Sequence, residues 1–254
     1  MIRLIGRLDL RNSNHIKTVN CEGVRIIRPL ENSIRIFSEG ESELDELIII
    51  DTVASLYGMD NWLLRKHENF FYAPVPVSIG GGINSVCKAL ETLKRGADKI
   101  LVNTSAIGRP SLLKQISEVC GQQALILQID TRKIEGKYFC FTHGARELTT
   151  YTLSEWLKIA HDFGVGELHV TAIDSEGTRH SFPFQLAEQL ANESYLPTIV
   201  SGGIRSAFDI YNLYSRFGIN SFSFSSMLGN PDIPIVNLRN ELRTMHLPVR
   251  HLSI

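Results

Sequence analysis

The sequence predicts an α/β fold, a single (β/α)8 TIM barrel assembled from two similar halves. Three observations carry that expectation. Short apolar runs alternate with segments of helical period. Several of the runs are unbroken, as in Leu47-Ile48-Ile49-Ile50, which marks strands buried on both faces. The chain also aligns with itself after a shift of 121 residues. Asp9 then falls on Asp130, Glu46-Leu47 on Glu167-Leu168, Gly81-Gly82-Ile83 on Gly202-Gly203-Ile204, and Thr104-Ser105 on Ser225-Ser226.

The expected strands are Arg3–Leu10, Glu46–Asp51, Val75–Gly80, Lys99–Asn103, Leu125–Asp130, Glu167–Ala172, Thr198–Ser201 and Ser221–Ser225. Helices are expected between them. Ser85 to Arg95 and Ser206 to Phe217 each open on a capping serine. Pro110 stands where a first-turn proline would, and Gly121 ends that segment. Thr152-Leu153-Ser154-Glu155 has the spacing of a capping box, opening a helix that closes at Phe163-Gly164. Eight such units fill 254 residues with no Pro-, Gly- or Ser-rich linker, so residues 1–254 are expected to form one domain.

Apolar residues at 43% and charged residues at 21% exclude a disordered or collagen-like chain. Lys plus Arg is 26 against Asp plus Glu 27, and a formal charge of -1 gives no reason to expect a nucleic-acid or membrane partner. The cysteines Cys21, Cys87, Cys120 and Cys140 are far apart, which argues against a disulfide framework or a zinc site. The eight histidines show no ligand spacing, so neither a metal nor another cofactor is expected. Charges interrupt the first residues and no run reaches about 18 apolar residues, so a cytoplasmic protein without a membrane span is expected.

In such barrels the chemistry gathers at the carboxyl ends of the strands. Asp9 ends the first expected strand and Asp130 the fifth, on opposite sides of the ring. A lone strand-end aspartate reads as a loop cap. Two related by the repeat can divide general acid from general base across one substrate. The glycine clusters suggest anion sites, because glycine lets backbone N–H groups approach a phosphate. Ser78 to Ile83 with Asn103-Thr104-Ser105 would make one. Ser201-Gly202-Gly203 with Ser225-Ser226 would make another, so the ligand expected carries a phosphate at each end.

With these motifs in place, the chain resembles the cyclase subunits of imidazole glycerol phosphate synthase nearly end to end. The resemblance lies in Arg7-Leu8-Asp9-Leu10, Asp45-Glu46-Leu47, Gly80-Gly81-Gly82-Ile83, Gly96-Ala97-Asp98-Lys99, Val102-Asn103-Thr104-Ser105 and Gln128-Ile129-Asp130. It continues in Thr142-His143-Gly144, Glu155-Trp156, Gly166-Glu167-Leu168, Glu176-Gly177-Thr178, Ser201-Gly202-Gly203 and Val249-Arg250. The resemblance implies the same barrel and a reaction. Ammonia from a partner glutaminase is added to a bisphosphorylated ribulosyl aminoimidazole carboxamide nucleotide, giving imidazole glycerol phosphate and the aminoimidazole carboxamide ribotide. It implies catalytic roles for Asp9 and Asp130. It implies phosphate contacts at Gly82, Asn103 and Thr104 on one side and Gly177, Gly203 and Ser225 on the other. Lys17 matches the lysine of a mobile first loop. Arg3, Glu46, Lys99 and Glu167 match a charged ring at the amino-terminal face, where the partner would dock and ammonia would enter; read without the resemblance, such a ring is structural ion pairing.

The chain departs from the family pattern after Lys17, at Thr18 and Cys21, and at Ile27-Arg28-Pro29, Ser175, Ser181, Pro183 and Arg205. Val53 to Gly58 is similar to diverged relatives linked to amination or amidination of surface-glycan sugars. The alternative is therefore a homologue that delivers ammonia to a sugar or nucleotide-sugar acceptor. A related isomerase and a subunit that only activates a glutaminase are the other readings. Trp62, Phe70, Phe71 and Tyr72 are expected to pack helices around the third strand. Of Phe222 and Phe224, one is expected to fill the barrel and the other to meet the helices.

Overall fold

The computed structural model describes residues 1–38, 44–65, 73–178, 180–225 and 235–251. Eight parallel strands close on themselves. They are β1 (Arg3–Arg11), β4 (Glu46–Asp51), β5 (Val77–Gly80), β6 (Lys99–Val102), β7 (Leu125–Ile134), β10 (Glu167–Ala172), β11 (Thr198–Ser201) and β12 (Ser221–Phe224). Each pairs with its successor, and β12 returns to β1. β1 and β7 are four places apart and so face each other across the ring. Two antiparallel hairpins extend this barrel. β2 (Asn14–Val19) and β3 (Glu22–Pro29) follow β1, while β8 (Lys137–Thr142) and β9 (Glu147–Thr152) follow β7. The helices in chain order are α1 (Leu30–Ser38), α2 (Trp62–Arg65), α3 (Val86–Lys94), α4 (Thr104–Gly108), α5 (Ser111–Cys120), α6 (Leu153–Asp162), α7 (Phe184–Glu193), α8 (Ala207–Phe217) and α9 (Ile235–Thr244). Among the described residues, no helix is long and apolar enough to cross a membrane.

The unbroken apolar runs do serve two faces. On β4, Leu47 and Ile49 join the layer beneath the helices, while Ile48 and Ile50 fill the barrel with Ile5, Leu101, Ile126 and Ile199. Trp156 of α6, Leu113 of α5 and Leu190 of α7 close the outer layer. The rest of the barrel interior is polar, including Arg7, Gln128, His169, Thr171, Ser201 and Ser223, all buried. Phe222 and Phe224 correct the expectation. Both lie in the outer layer, because residues two apart on a strand share a face, and the serines at 221 and 223 point inward instead.

Local signals act as expected in several places. The Thr152–Glu155 capping box is formed, with Glu155 Oε2 accepting from Thr152 N at 2.8 Å. Ser85 accepts from Lys88 N at 3.3 Å. The third barrel strand starts at Val77 rather than Val75, since Pro76 between them has no N–H for the ladder. The fourth ends at Val102, because the Asn103 carbonyl already accepts from Ala106 and Ile107. Trp62 is half-buried against the outer core, whereas Phe70, Phe71 and Tyr72 lie outside the described residues.

Hairpin β2–β3 is fastened to α1 through His15, whose Nδ1 lies 2.9 Å from Ser33 Oγ. Burial, opposed by Asp9 and reinforced by Arg28 and Lys17, pushes this imidazole down from 6.5 to about 4. Above 6.5 it is neutral in folded and unfolded chains alike; between 6.5 and 4 only the unfolded chain takes up the proton. Stability is therefore expected to fall as pH drops through that window, by up to roughly 3 kcal/mol from this residue. Urea unfolding of wild type and His15→Gln from pH 7.5 to 4 measures it. The variant should lose less over that range, and equal losses would count against the assignment.

Candidate active site

A cavity opens at the carboxyl ends of the strands. Asp9 and Asp130 both line it, together with Gly82, Asn103, Thr104 and Gln128. The structure thus brings together the two acids and one of the two expected anion sites. Both acids are almost fully buried. Asp9 Oδ1 accepts from Arg7 Nε at 2.9 Å. Asp130 accepts from Asn103 Nδ2 at 2.9 Å and from Gln128 Nε2 at 3.2 and 3.3 Å. Burial pushes the Asp130 carboxyl up, Arg7 and the Gln128 and Thr171 donors pull against it, and Asp9 adds to the rise.

The expected anion cradle is braced from behind. Asp51, at the end of β4, accepts from Val53 N at 3.2 Å and Ala54 N at 3.1 Å through Oδ1, and from Trp62 N at 2.7 Å through Oδ2. Asn61 Nδ2 donates to the carbonyls of Gly80 and Gly81, both at 2.8 Å. These bonds fix the path of residues 80–82. The Gly82 amide donates to Ser55 Oγ at 3.3 Å, and Thr104 Oγ1 accepts from His143 N at 3.1 Å. Asn103, expected on a phosphate, has its amide on Asp130 and so orients an acid as well.

The second expected anion site is arranged differently. Gly177, Gly203 and Ser225 do not line the cavity. The backbone of Thr18 and Val19 lies over Gly177, and that of residues 180–182 over Gly203. Asn20 N donates to the Glu176 carbonyl at 2.8 Å, holding hairpin β2–β3 down on this side of the mouth. Ser225 is buried just past β12, and Ser226 lies outside the described residues. Lys17, expected in a loop, stands on β2 in register with Arg25. Burial lowers its ammonium, an effect that nearby Glu176 opposes and Arg25 reinforces.

At the opposite end of the barrel the four expected ring residues do meet. Arg3 holds Glu46 through Nε at 2.6 Å and through a second nitrogen at 2.9 Å. Its remaining nitrogen reaches Glu167 Oε1 at 2.5 Å, and Lys99 Nζ reaches Glu167 Oε2 at 2.6 Å.

Two side chains at the mouth escaped the sequence reading of the site. Arg7 and Glu176 are both buried, the latter a third carboxyl beside the acid pair. Burial pushes Glu176 up; Arg7 and, more weakly, Lys17 counter this, while Asp9 and Asp130 reinforce it. Arg7 could have been found by stepping two residues back from Asp9 along the same strand face. Glu176 sits within a motif that the resemblance quotes, but no periodicity points it inward.

Residues 3–228 match the histidine biosynthesis protein family. The chain belongs to that family. The resemblance carried by the motifs is thereby borne out, and so is the barrel. Histidine biosynthesis proteins similar to it include the imidazole glycerol phosphate synthase subunit HisF of Legionella pneumophila, 38% identical over 208 residues, which span 80% of this chain and 95% of that one. The subunit HisF of Chlorobium phaeobacteroides is 31% identical over 252 residues, 98% of each chain. That of Prochlorococcus marinus is 31% identical over 253 residues, again 98% of each.

Proposed function

We propose that the chain is the cyclase subunit of an imidazole glycerol phosphate synthase. It adds ammonia from a partner glutaminase to the bisphosphorylated ribulosyl aminoimidazole carboxamide nucleotide, and releases imidazole glycerol phosphate and the aminoimidazole carboxamide ribotide. The observation that carries this reading is the meeting of Asp9, Asp130 and the Gly82–Asn103–Thr104 cradle in one cavity of a histidine biosynthesis protein.

Each part of the mouth has a task in this reaction. The cradle at Gly82 and Thr104 receives one phosphate through backbone and hydroxyl donors. Gly177, Gly203 and Ser225 receive the other once the β2–β3 hairpin, with Lys17, lifts from that side and closes again over the substrate. One carboxyl takes a proton as the ammonia nitrogen adds to the carbonyl carbon, and the other gives one to the departing nitrogen. Excluding water protects the aminated intermediate while it cyclises. The glutaminase docks at the amino-terminal face, and ammonia enters past Arg3, Glu46, Lys99 and Glu167.

The test is turnover by the purified chain with ammonium salts and no partner. Imidazole glycerol phosphate should form, and glutamine should replace ammonium only when the glutaminase is added. No such product, with amination of a sugar or nucleotide-sugar acceptor instead, would establish the surface-glycan alternative.

A further inference from the structure

The two mouth carboxyls occupy equivalent positions of the two half-barrels, yet their neighbours differ: Asn103 and Thr171, which donate to Asp130, correspond in sequence to Phe224 and Ile50, and a third pair differs in charge. Two residues before each acid, on the same inward strand face, stands Arg7 in the first half and Gln128 in the second. Arg7 Nε donates to Asp9 Oδ1 at 2.9 Å, and another of its nitrogens donates to Thr171 Oγ1 at 3.1 Å and reaches Ser201 Oγ at 3.5 Å. It thus spans from β1 to β10 and β11 and is only 4% exposed. Among the described residues, Asp130 has no guanidinium as a hydrogen-bond partner; its donors are the neutral amides of Gln128 and Asn103 and the Thr171 hydroxyl.

Resting on the reading of this mouth as the cyclase site, we propose that Arg7 is the positioning residue that makes the two acids unequal. It holds Asp9 as the proton acceptor and leaves Asp130 as the proton donor. A charge-assisted hydrogen bond from a planar guanidinium fixes a carboxylate as acceptor and sets its orientation. A buried carboxyl with only neutral donors keeps its proton more readily. Stability alone is a weak reason for such a residue, because desolvating an arginine inside a barrel costs about as much as one good ion pair returns.

Asp130 is faced by Arg7 and Asp9 from β1, Thr171 from β10, Glu176 beyond β10, Cys21 from the hairpin turn and Cys140 from β8. Arg7 is the cation that pulls Asp130 down, and it does the same for Glu176. Removing it therefore raises both.

Arg7→Gln gives the two halves the same neighbour, and Arg7→Lys keeps the charge without the fork. With ammonium salts, Arg7→Gln should lose about tenfold or more in kcat with little change in KM. The alkaline limb of its pH–rate profile, which the donor Asp130 sets, should move to higher pH. Arg7→Lys should keep the limb in place and recover part of kcat. A titration of the Asp130 carboxyl by carbon NMR, without substrate, reads the same effect independently of turnover. Its midpoint should rise in Arg7→Gln and stay in Arg7→Lys. Gln128→Arg supplies the complement should Arg7→Gln not fold: the midpoint should fall, and kcat with it. An unchanged Asp130 midpoint in Arg7→Gln, or in Gln128→Arg if only that variant folds, overturns the proposal. If wild type turns over no nucleotide, the functional reading fails, and the titration still decides the role of Arg7.

Discussion

Replacing Asp130 with asparagine is expected to reduce ammonia-dependent kcat by about 10²- to 10⁴-fold, the usual worth of a placed general acid or base. The side chain keeps its shape. Its oxygen can still accept from Asn103 or Gln128, which now sit on the carboxylate. What goes is the proton, so KM should change little and thermal stability should hold. Asp9→Asn should be as damaging to turnover for an added reason. Arg7 would be left buried without its carboxylate, and breaking such a pair costs on the order of 3–5 kcal/mol. The two variants therefore separate chemistry from structure: Asp130→Asn loses rate alone, Asp9→Asn loses rate and stability together. Steady-state kinetics with ammonium salts and thermal melting check both, and an Asp130→Asn variant within threefold of wild type would remove that residue from the mechanism.

The second large effect is expected at Gly81→Ala. This residue has φ +93, and a Cβ there would lie 2.1 Å from the Asp51 carbonyl oxygen. The neighbour has little freedom to give way, because the Asp51 side chain is tied to Val53, Ala54 and Trp62. Backbone strain and overpacking together should cost about 3 kcal/mol or more. The cradle moves with it, so KM should rise alongside the loss of stability. Gly202→Ala is the internal control from the other half-barrel. Its φ is +88, and its Cβ would lie 2.7 Å from the Ala172 carbonyl oxygen, a milder clash with a smaller expected effect. Urea unfolding orders the two. A reversed order would mean that the Asp51 brace yields more than its bonds imply.

Much of the barrel was legible because burial on both faces leaves a mark no surface segment shares. Ile48 and Ile49 must both be apolar when one faces the lumen and the next faces helices. The hairpins left no such mark. Segments 14–29 and 137–152 mix charges with isolated apolar residues, and much of β3 is exposed, so neither strand nor helix period emerges. That is why Lys17 reads as a loop residue and stands on a strand. Asp9 and Asp130 were legible because the repeat put them in register. Arg7 shares the inward face of Asp9 by the two-residue period of a strand, but the repeat pairs it with Gln128, so the register gave it no matching partner to single it out. The covering of Gly177 and Gly203 arises from contacts far apart in sequence, Thr18 with Gly177 and His180 with Gly203, where only tertiary packing speaks.

The ion pairs at the barrel floor are arranged in a row, with Glu46 at one end, Arg3 and Glu167 in the middle and Lys99 at the other. A row has a terminal member, and here it is a single flexible chain whose departure leaves Glu167 still neutralised by Arg3. Lys99 can therefore turn toward solvent while the buried Glu167 keeps its ion pair with Arg3. If the proposed entry of ammonia at this face holds, Lys99 is the member free to move, and the other three residues stay linked through Arg3.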